Sequence, residues 1–525
     1  MGLFAGLDCS TQSFKLVVLD NDKKEVVYTD LINYDRDLPQ YNTENGVIKG
    51  LGEGVSESDP NMWIEALNLL FTRLKKSNVP IADIKAISVS GQQHGLVCLD
   101  GEGNLSRERS KLWNDFSTQE ECDLLTEAVG GLANMVEEVG NSQRTGYTAA
   151  KIYHLVRHEP DKYAKTETLF LVHNFINWYL TGGKNGGVRV MEEGDTSGMA
   201  LWHPRKQTWS EKVMSAIASD LKEKLPEVKQ ADEFIGKISP ELIRKYGFSA
   251  ECIIDAGSGD NMYGAVGTGN VTPGIVTISL GTSGTAYTFL EQPYIDPDGD
   301  IGAFCDSTGH YLPLLCVSNL ANGYNAILRN YNLDHAQFNE IVKQTPAGNG
   351  GRLLIPWFGG ERTPDVPLAA PVYFGFRLDD FTVRYLSRGV VEGHILNLYD
   401  GFKRLPVKPQ EIRLTGGLSH SEVWCQTIAD IFEAETVPVE GEGAAMGAAL
   451  HAAWVFQKTF QKEVELQEIV EPFVKLREDR RSRPIDENVK KYQLLKKMFA
   501  SLSQSLRGFQ ADDDVFALRN QLIKE

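Results

Sequence analysis

The sequence predicts two α/β domains of similar size, and three observations support this fold class. The chain has 525 residues, whereas a single hydrophobic core usually stops growing at roughly 250 to 300 residues. Apolar runs of strand length alternate with segments of helical periodicity in both halves. A strand, a short polar turn and a second strand occur near the N-terminus and again at residues 275–290. We therefore predict domains over residues 1–250 and 251–525.

The composition indicates a packed globular protein, with 42% hydrophobic and 24% charged residues. A formal net charge of −18 argues against nucleic-acid partners, because neutralising a phosphate backbone needs a basic face. The seven cysteines form no CxxC pair and lie mostly in apolar runs, which is typical of a reducing compartment. The sequence shows neither a basic leader segment nor 18 consecutive apolar residues, so we expect a cytoplasmic protein without membrane contact.

The first domain is predicted to begin with a β-meander. Apolar strands flank the turn in residues 7–13 (Leu-Asp-Cys-Ser-Thr-Gln-Ser), and a third strand follows the polar turn at 20–22. Residues 60–76 place apolar side chains at a spacing near 3.6, which predicts a helix. A buried strand at 84–90 then leads into the segment Gly-Gln-Gln-His-Gly at 91–95. This alternation is typical of an α/β domain.

Helices are predicted for residues 111–245, and a strand at 252–257 restarts the α/β pattern. In the second domain a strand at 412–415 ends in paired glycines and precedes a helix at about 421–433. Ser419 and Glu422 have the spacing of a capping box at the start of that helix. The chain after Pro484 is predicted to finish as a charged amphipathic helical tail.

The two recurring turns have the composition of phosphate-binding loops. The first lies in residues 7–13 and the second in residues 280–285 (Leu-Gly-Thr-Ser-Gly-Thr), each between apolar strands. Small and hydroxyl residues at a hairpin tip offer backbone N–H and hydroxyl donors, which suit a phosphate group. Two such turns in separate halves of the chain suggest a polyphosphate that is held from both sides.

Two carboxylates follow predicted strands directly. Asp8 stands at the first turn, where a magnesium ion held through water is expected to link it to a phosphate. The structural alternative for Asp8 is an Asx-turn that caps the hairpin. Asp260 begins a small-residue helix after Gly-Ser-Gly, so it either accepts a proton from a hydroxyl nucleophile or only caps the helix.

Polar side chains at strand ends are candidates for substrate binding. Gln93 and His94 follow the strand at 84–90, where α/β domains usually bind ligands, and they suit a polyhydroxylated substrate. A turn with a surface histidine is the alternative. Residues 113–115 (Trp-Asn-Asp) offer an aromatic plate with two polar neighbours, or a core tryptophan. The bend at 357–364 is either an interdomain latch or a tight loop with a surface ion pair.

Several common catalytic motifs are absent from the sequence. It has no metal-ligand cluster of histidine and cysteine, no G-x-S-x-G elbow, no Walker A loop and no G-x-G-x-x-G after the first strand. Hydrolase and dehydrogenase functions therefore lose their usual sequence support.

The order of these pieces resembles the FGGY carbohydrate kinases, which are members of the actin, sugar kinase and Hsp70 ATPase superfamily. The segment 6–13 with Lys15 is similar to the first phosphate motif of that superfamily, and the segment 279–285 is similar to the second. The segment 415–430, which begins Thr-Gly-Gly-Leu-Ser, is similar to the adenosine motif. This resemblance covers nearly the whole chain. It implies a two-domain actin-like ATPase fold of the ribonuclease H type, with the active site in the interdomain cleft.

Within the family, the segments 90–95, 112–115 and 358–364 are most similar to members that phosphorylate the ketopentose D-xylulose. The resemblance therefore implies ATP-dependent conversion of D-xylulose to D-xylulose 5-phosphate. A sugar, ATP and Mg²⁺ are the implied partners, and the sequence leaves a symmetric homodimer open.

The resemblance also implies roles for individual residues, with Asp260 as the catalytic base. The implied substrate-binding residues are Gln93, His94, Asn114, Asp115, Asp260 and Asn261. The implied ATP-binding residues are Asp8, Ser10, Thr11, Gln12, Lys15, Gly281, Thr282, Ser283, Gly416, Gly417 and Ser421. Asp8 would hold Mg²⁺ through water, and Asp260 is a second candidate ligand.

Two positions depart from the family pattern and leave alternatives open. Ser421 stands where asparagine is common in the adenosine motif, and Arg144 stands in a loop where Pro-Gly-like residues are frequent. A kinase for ribulose, another ketose, a polyol or glycerol is one alternative. A nucleotide-driven switch protein is another, although such a protein would not need Gln93, His94 and Asp260.

Overall fold

The computed structural model describes residues 2–441, 443–461 and 464–524. The chain folds into two compact units, each made of segments that are separate in sequence. The first unit contains Met1–Thr272, Leu290–Leu312 and Gly441–Val474. The second unit contains Pro273–Phe289, Pro313–Glu440 and Lys475–Glu525. The predicted division into domains at residues 1–250 and 251–525 stays a prediction.

The first unit is built around a mixed sheet whose first three strands form the predicted meander. In spatial order, the strands are Phe234–Lys237, Ile253–Asp255, Ile84–Gly91, Leu3–Cys9, Ser13–Asp20 and Glu25–Asn33, with Ser258–Gly259 also paired to Ile84–Gly91. Leu3–Cys9 runs antiparallel to Ser13–Asp20 and parallel to Ile84–Gly91. The parallel strands therefore present their carboxyl ends at one edge of the sheet.

The predicted helix at 60–76 is confirmed as Pro60–Lys75 and covers one face of this sheet. Asp59 caps it by accepting a hydrogen bond from the Asn61 N–H, and Pro60 occupies the first turn. Its fully buried face includes Trp63 and Phe71, which belong to the same hydrophobic cluster as the meander. Helical spacing of apolar residues is therefore what attaches this helix to the sheet.

A helix from the C-terminal half of the sequence, Gly443–Phe460, packs against the other face of this sheet. Two glycines permit its close approach, Gly6 to the sheet and Gly447 to the helix Asp260–Gly267. A Cβ at Gly6 would lie 2.0 Å from the Ala445 carbonyl oxygen, and a Cβ at Gly447 would lie 1.8 Å from the Tyr263 carbonyl oxygen. With helices on both faces, this sheet has the layered α/β arrangement that the sequence predicts.

The region 111–245 is mainly helical, as predicted. The longer helices of the first unit in and after this region are Gln119–Ala128, Leu132–Val139, Thr148–His158, Pro160–Lys165, Val172–Thr181, Glu211–Ile217, Pro240–Tyr246 and Asp260–Gly267. Among the described residues, no helix is both long and apolar enough to cross a membrane.

The second unit has a sheet that contains the second predicted hairpin. In spatial order, its strands are Tyr311–Val317, Gly284–Thr288, Ile275–Leu280, Glu411–Thr415, Glu435–Glu440 and Lys475–Leu476. Its longer helices are Asn322–Tyr331, His335–Lys343, Val383–Phe402, Glu422–Phe432, Asp486–Leu506 and Val515–Lys524. The last two confirm the predicted helical tail.

The predicted capping box at Ser419 and Glu422 is wrong. The helix begins at Glu422 with Ser421 as its N-cap, and Ser419 lies in a short 3₁₀ turn, Gly417–His420. The Ser419 hydroxyl donates to the Gly416 carbonyl oxygen at 2.7 Å, and Glu422 pairs with Lys343 at 2.6 Å. The paired glycines insert this extra turn between strand and helix, which moves the cap two residues along the chain.

Candidate active site

Parallel strand register brings the acidic and amide side chains of the first unit to one edge of its sheet. Asp8 pairs with Ser90, and Ser90 pairs with Ser258 on the other side. Gln92 and Asp260 each follow two residues beyond these partners. The sequence-predicted residues therefore converge because three parallel strands end at the same level.

Asp8 lies next to the last residue of its strand and accepts a hydrogen bond from the Ser90 hydroxyl at 2.7 Å. Desolvation raises the pKa of Asp8 to about 6, although the Ser90 hydrogen bond and the charge of Lys15 act in the opposite direction. The Ser90 hydrogen bond and the charge of Lys15 offset the loss of solvent around this carboxylate only in part, so a bound cation would stabilise its charged form.

Asp260 is the first residue of the helix Asp260–Gly267, and the N-cap position belongs to Gly259. Asn261 donates from its amide nitrogen to Gln93 Oε1 at 2.7 Å and to Asp260 Oδ1 at 3.1 Å. Desolvation, together with the charges of Asp8 and Asp195, raises the pKa of Asp260 to about 8. The group is thus poised to exchange a proton near neutral pH.

Asp195 is a site residue that the sequence analysis missed. It is fully buried, and its Oδ2 lies 3.1 Å from Nδ1 of the buried His173. Its Oδ1 is buried and has no hydrogen-bond partner in the described chain. Because its charge acts on Asp260, Asp195 belongs to the same acidic group. The sequence offered one signal for it, since Asp195 closely follows Glu192 and Glu193 in a stretch that is otherwise uncharged.

Gln93 and His94 are both buried, so the surface-turn alternative for this histidine is wrong. Gln93 Nε2 is buried and donates to no group of the described chain, although its Oε1 accepts from Asn261. A Cβ at Gly198 would lie 2.6 Å from the His94 ring, so only glycine leaves room for it. A buried amide with an unused donor is a ready contact for a hydroxyl group.

The backbone at His94 is held in a left-handed conformation by a buried lysine. His94 has φ +65°, and Lys151 Nζ donates to the carbonyl oxygens of His94 and Gly146 at 2.6 Å each. Burial lowers the pKa of Lys151 to about 7. The ring of Tyr147 lies 4.7 Å from the His94 ring and that of Phe304 lies 5.9 Å away, centroid to centroid. These groups fix the imidazole in place.

The first hairpin turn is fastened by side chains. The Ser10 hydroxyl donates to the Ser13 carbonyl oxygen at 2.9 Å, which closes the turn. The Thr11 hydroxyl donates to Gln92 Oε1 at 3.1 Å and accepts from Trp113 Nε1 at 2.9 Å. Trp113 is 41% exposed, so it is not the core residue that the sequence left open. Gln12 is exposed at the tip, and Lys15 is half-buried on the second strand.

Asn114 and Asp115 form part of the loop scaffold. Asn114 Oδ1 accepts from the Ser56 hydroxyl at 2.7 Å. Asp115 is fully buried, and its oxygens accept from the Ser56 N–H at 2.9 Å, the Ser117 hydroxyl at 2.6 Å and Lys111 at 3.2 Å. Their substrate contacts stay a prediction, while these bonds favour a positioning role.

Arg144 has a structural explanation for its departure from the family pattern. Its guanidinium pairs with Asp300 at 2.7 Å and also donates to the Ser142 hydroxyl at 3.0 Å. Ser142 in turn donates to the Gly299 carbonyl oxygen at 2.8 Å. Arg144 therefore anchors the segment around residue 300 beside the loop that precedes Tyr147.

The second hairpin turn, in the second unit, is fastened by backbone. The Thr282 carbonyl oxygen accepts from the N–H groups of Leu320 and Ala321 at 3.0 and 3.1 Å. Thr282 and Ser283 are exposed, and their hydroxyls bond to no group in the described part of the chain. The tip thus offers unused hydroxyl and N–H donors to an anionic ligand.

The paired glycines lie directly beside this turn. Gly416 has φ +81°, and a Cβ there would lie 2.6 Å from the Leu280 carbonyl oxygen, so this position requires glycine. A Cβ at Gly417 would meet nothing within 4 Å, which leaves open space next to the turn. The Ser421 hydroxyl donates to Asn339 Oδ1 at 2.8 Å. The second unit thus places an open glycine surface next to a donor-rich tip.

Gln426 and Asp430, in the segment 415–430, and the bend at 357–364 belong to the scaffold of the second unit. Gln426 donates to Asp430 at 2.8 Å, and Asp430 accepts from the Ile485 N–H at 2.8 Å. Glu361 is buried and accepts from the Ser318 N–H and from Asn319. The surface-ion-pair alternative for Glu361 is therefore wrong, and its contacts support the segment that anchors Thr282.

The donor chemistry of the first unit fits a hard divalent cation. Asp8 and Asp260 offer carboxylate oxygens, which are the ligands that Mg²⁺ prefers. The pKa values of both groups are raised, and the charge of Asp8 contributes to the shift at Asp260. A cation would relieve this excess of negative charge.

Comparisons of sequence identify the family. Family models for the N-terminal and C-terminal domains of the FGGY family of carbohydrate kinases match residues 3–267 and 276–456. The chain is similar to the xylulose kinase of Haemophilus influenzae, at 36% identity over 502 residues that cover 94% of this chain and 97% of that protein. It is 28% identical to the xylulose kinase of Escherichia coli over 478 residues, covering 89% and 92%.

Solved structures of related kinases have the same fold. Ligand-bound xylulose kinase from Lactobacillus acidophilus aligns with a TM-score of 0.84 at 23% identity, covering 97% of this chain and 99% of that one. Plasmodium falciparum glycerol kinase with ADP aligns with a TM-score of 0.80 at 18% identity, covering 98% and 99%. The predicted two-domain actin-like ATPase fold is confirmed. The chain belongs to the FGGY family of carbohydrate kinases.

Proposed function

We propose that this protein catalyses the ATP-dependent phosphorylation of D-xylulose to D-xylulose 5-phosphate. The observation that carries the proposal is the contact set of Gln93, Asn261 and Asp260, in which a proton acceptor lies beside unused amide donors. Curated relatives that cover most of the chain are xylulose kinases, which supports D-xylulose as the acceptor.

On the sugar side, Asp260 accepts the proton of the terminal hydroxyl as the hydroxyl oxygen attacks the γ-phosphorus of ATP. The bond between the γ-phosphorus and the oxygen that bridges it to the β-phosphorus breaks, and ADP leaves. A pKa of about 8 makes Asp260 a stronger base than an exposed carboxylate, because proton acceptors work best when their pKa lies near the working pH. Gln93 and His94 bind hydroxyl or carbonyl oxygens of the open-chain sugar, and Asn261 holds a hydroxyl next to the base. Asp195 stabilises the protonated form of Asp260 through its own negative charge.

On the nucleotide side, the hydroxyl and backbone donors at residues 281–283 bind phosphate oxygens. Gly416 and Gly417 lie against the adenosine, because the space beside Gly417 is open. The turn at residues 10–12 and Lys15 contact the phosphates from the first unit. Asp8, through water, and Asp260 are the residues that would hold Mg²⁺. When bound, the ion would neutralise negative charge on the phosphate oxygens.

Transfer to the sugar requires that the sugar hydroxyl, and not a water molecule, attacks the γ-phosphorus. Because little covalent chemistry is left to the protein, positioning and exclusion of water account for most of the rate. We therefore expect slow ATP hydrolysis in the absence of sugar. Hydrolysis without sugar at the rate of sugar phosphorylation would contradict the proposal and favour a nucleotide-driven switch.

The test is ADP release with ATP and Mg²⁺ in the presence of D-xylulose, D-ribulose, L-ribulose, glycerol or no sugar. Selective turnover of D-xylulose is the expected result. Preferred turnover of another acceptor would retain the kinase mechanism and overturn the substrate. A site built to bond one hydroxyl rejects analogues that lack it by large factors, so the panel should discriminate clearly.

A further inference from the structure

The second unit contains a cavity of about 540 Å³ that is separate from its hairpin turn and paired glycines. It lies between the end of the helix His335–Lys343 and one face of the helix Glu422–Phe432. Neither residues 281–283 nor Gly416 and Gly417 line it. The proposed kinase reaction therefore leaves this cavity without a role.

A buried arginine lines the cavity with unused donors. Arg388 is 8% exposed, and its Nε lies 2.9 Å from Glu392 Oε1 in an alignment too poor for a hydrogen bond. Its two terminal nitrogens bond to no group in the described ranges of the chain. Glu392 Oε1 also accepts from the Tyr492 hydroxyl at 2.9 Å and the Gly348 N–H at 2.8 Å, while its Oε2 is buried without a hydrogen-bond partner among the described residues, so Arg388 and Glu392 form a buried ion pair. Glu392 balances the charge of Arg388, but the two terminal nitrogens of the guanidinium remain as donors that an acceptor in the cavity can use.

A second arginine stands at the same cavity. Arg480 is half-buried and has no carboxylate within 4.0 Å among the residues the structure describes. The carboxylates that line the cavity are already engaged by other groups. Glu422 pairs with Lys343, Asp479 pairs with Arg477, and Asp430 accepts from Gln426, Asn488 and the Ile485 N–H. Arg480 therefore offers positive charge that no acid lining the cavity neutralises through a close contact, and Arg388, whose charge Glu392 balances from outside the lining, offers its terminal N–H donors.

We propose that this cavity binds a small phosphate monoester, with Arg388 and Arg480 as its phosphate ligands. Arginine presents a planar fork that bonds two phosphate oxygens at once. The volume exceeds what a phosphate group alone needs, and the lining includes Thr345, Thr427 and Asn488. The Thr345 and Thr427 hydroxyls donate to the carbonyl oxygens of Ile341 and Val423, and the Asn488 amide nitrogen donates to Asp430, so these side chains offer their oxygens as acceptors for the hydroxyls of a phosphorylated sugar or polyol.

The test is isothermal titration with D-ribose 5-phosphate, inorganic phosphate and uncharged D-ribose against the full-length protein. We expect D-ribose 5-phosphate to bind most tightly, inorganic phosphate to bind more weakly and D-ribose not to bind. Arg480→Gln should weaken D-ribose 5-phosphate binding at least tenfold, because it removes charge-assisted hydrogen bonds. Arg388→Gln should do the same, and circular dichroism and thermal melting show whether it folds.

Arg483→Gln is the matched control, since Arg483 is exposed and pairs with Glu435 outside the cavity. It should bind D-ribose 5-phosphate like the wild type. Equal affinity of Arg480→Gln and wild type would overturn the proposal, because binding would then occur at the substrate site. An absence of any D-ribose 5-phosphate binding to the wild type would overturn it as well.

Discussion

The two hairpin turns look alike in sequence but are held in different ways. In the first unit, the Thr11 hydroxyl bonds both Gln92 and Trp113, so side chains fix the turn. In the second unit, the Thr282 carbonyl oxygen accepts from two backbone N–H groups, and the hydroxyls of Thr282 and Ser283 bond to none of the residues that the structure describes.

The surroundings of the two turns also differ in charge. The first turn is next to Asp8, which accepts a hydrogen bond from Ser90. The charges of Asp8 and Asp195 both act on Asp260, so this turn lies beside an acidic group. The second turn is next to the bare backbone of Gly416 and Gly417. The contrast teaches that one composition occurs in two different settings: an acidic one, which fits the proton transfer that we propose, and one of bare glycine backbone, which fits the nucleotide binding that we propose.

The largest expected effect comes from removing the proton acceptor near the first turn. Asp260→Asn keeps the side-chain shape but cannot take up a proton, so kcat should fall by about 10³-fold, within the usual range for a general base. Affinity for ATP, measured by titration with a non-hydrolysable analogue, should stay close to wild type. A variant that retains a tenth of the wild-type kcat would show that Asp260 is not the base.

A paired substitution tests the glycines near the second turn. Gly416→Ala should destabilise the protein by about 2–4 kcal/mol, because the left-handed φ and the contact with Leu280 both oppose a Cβ. Gly417→Ala should leave the midpoint of thermal unfolding unchanged, since its Cβ would meet nothing within 4 Å. If adenosine lies against Gly417, that variant should raise KM for ATP about tenfold. Normal KM for ATP in Gly417→Ala would move the nucleotide elsewhere.

The sequence predicts best those features that a short segment determines by itself, and it misses those that depend on tertiary packing. Periodicity predicts the helix Pro60–Lys75, and the pattern of a strand followed by a turn predicts Asp8 and Asp260 as candidate site residues, because these follow from short segments. The sequence analysis assigned Asp260 to the second domain, so the register that brings it to the same sheet edge as Asp8 was not predicted. Asp195 was missed because its role depends on the tertiary packing of His173 and Asp260 around it. The same holds for Arg144, whose partner Asp300 is far along the chain.

The error at Ser419 has a different origin. The capping-box spacing was present, but the left-handed backbone of Gly416 places Ser419 in a 3₁₀ turn, where its hydroxyl bonds the Gly416 carbonyl oxygen. Likewise, residues 443–460 pack on the first sheet through the missing Cβ atom of Gly6 and on the helix Asp260–Gly267 through the missing Cβ atom of Gly447. Local propensity does not encode such close approaches.

Acidic crowding in the first unit should make its stability depend on pH. Burial raises the pKa of Glu193 to about 7 from an ordinary value of 4.5, with the charge of Asp306 adding to the shift. The folded state therefore favours protonated Glu193, and this stability is present below pH 4.5 and lost as the pH rises through 7. Glu193→Gln should be more stable than wild type by about 2 kcal/mol at pH 8.

Urea unfolding of wild type and Glu193→Gln at pH 5 and pH 8 measures this effect as a difference between the two proteins. The gain at pH 5 should be small, because Glu193 is then mostly protonated in the folded protein. A gain of equal size at both pH values would show that the glutamate acts through packing and not through its charge.

The smallest expected effects compare the two turns directly. Thr11→Val should lower the free energy of unfolding by about 1 kcal/mol, because the buried Gln92 oxygen loses its donor. Ser283→Ala removes an exposed hydroxyl that has no partner among the described residues, so the free energy of unfolding should change by less than about 0.5 kcal/mol. The same variant should raise KM for ATP about threefold to tenfold if that hydroxyl binds phosphate. A stability loss in Ser283→Ala equal to that in Thr11→Val would mean that both turns are held by side chains, which would remove the distinction between them.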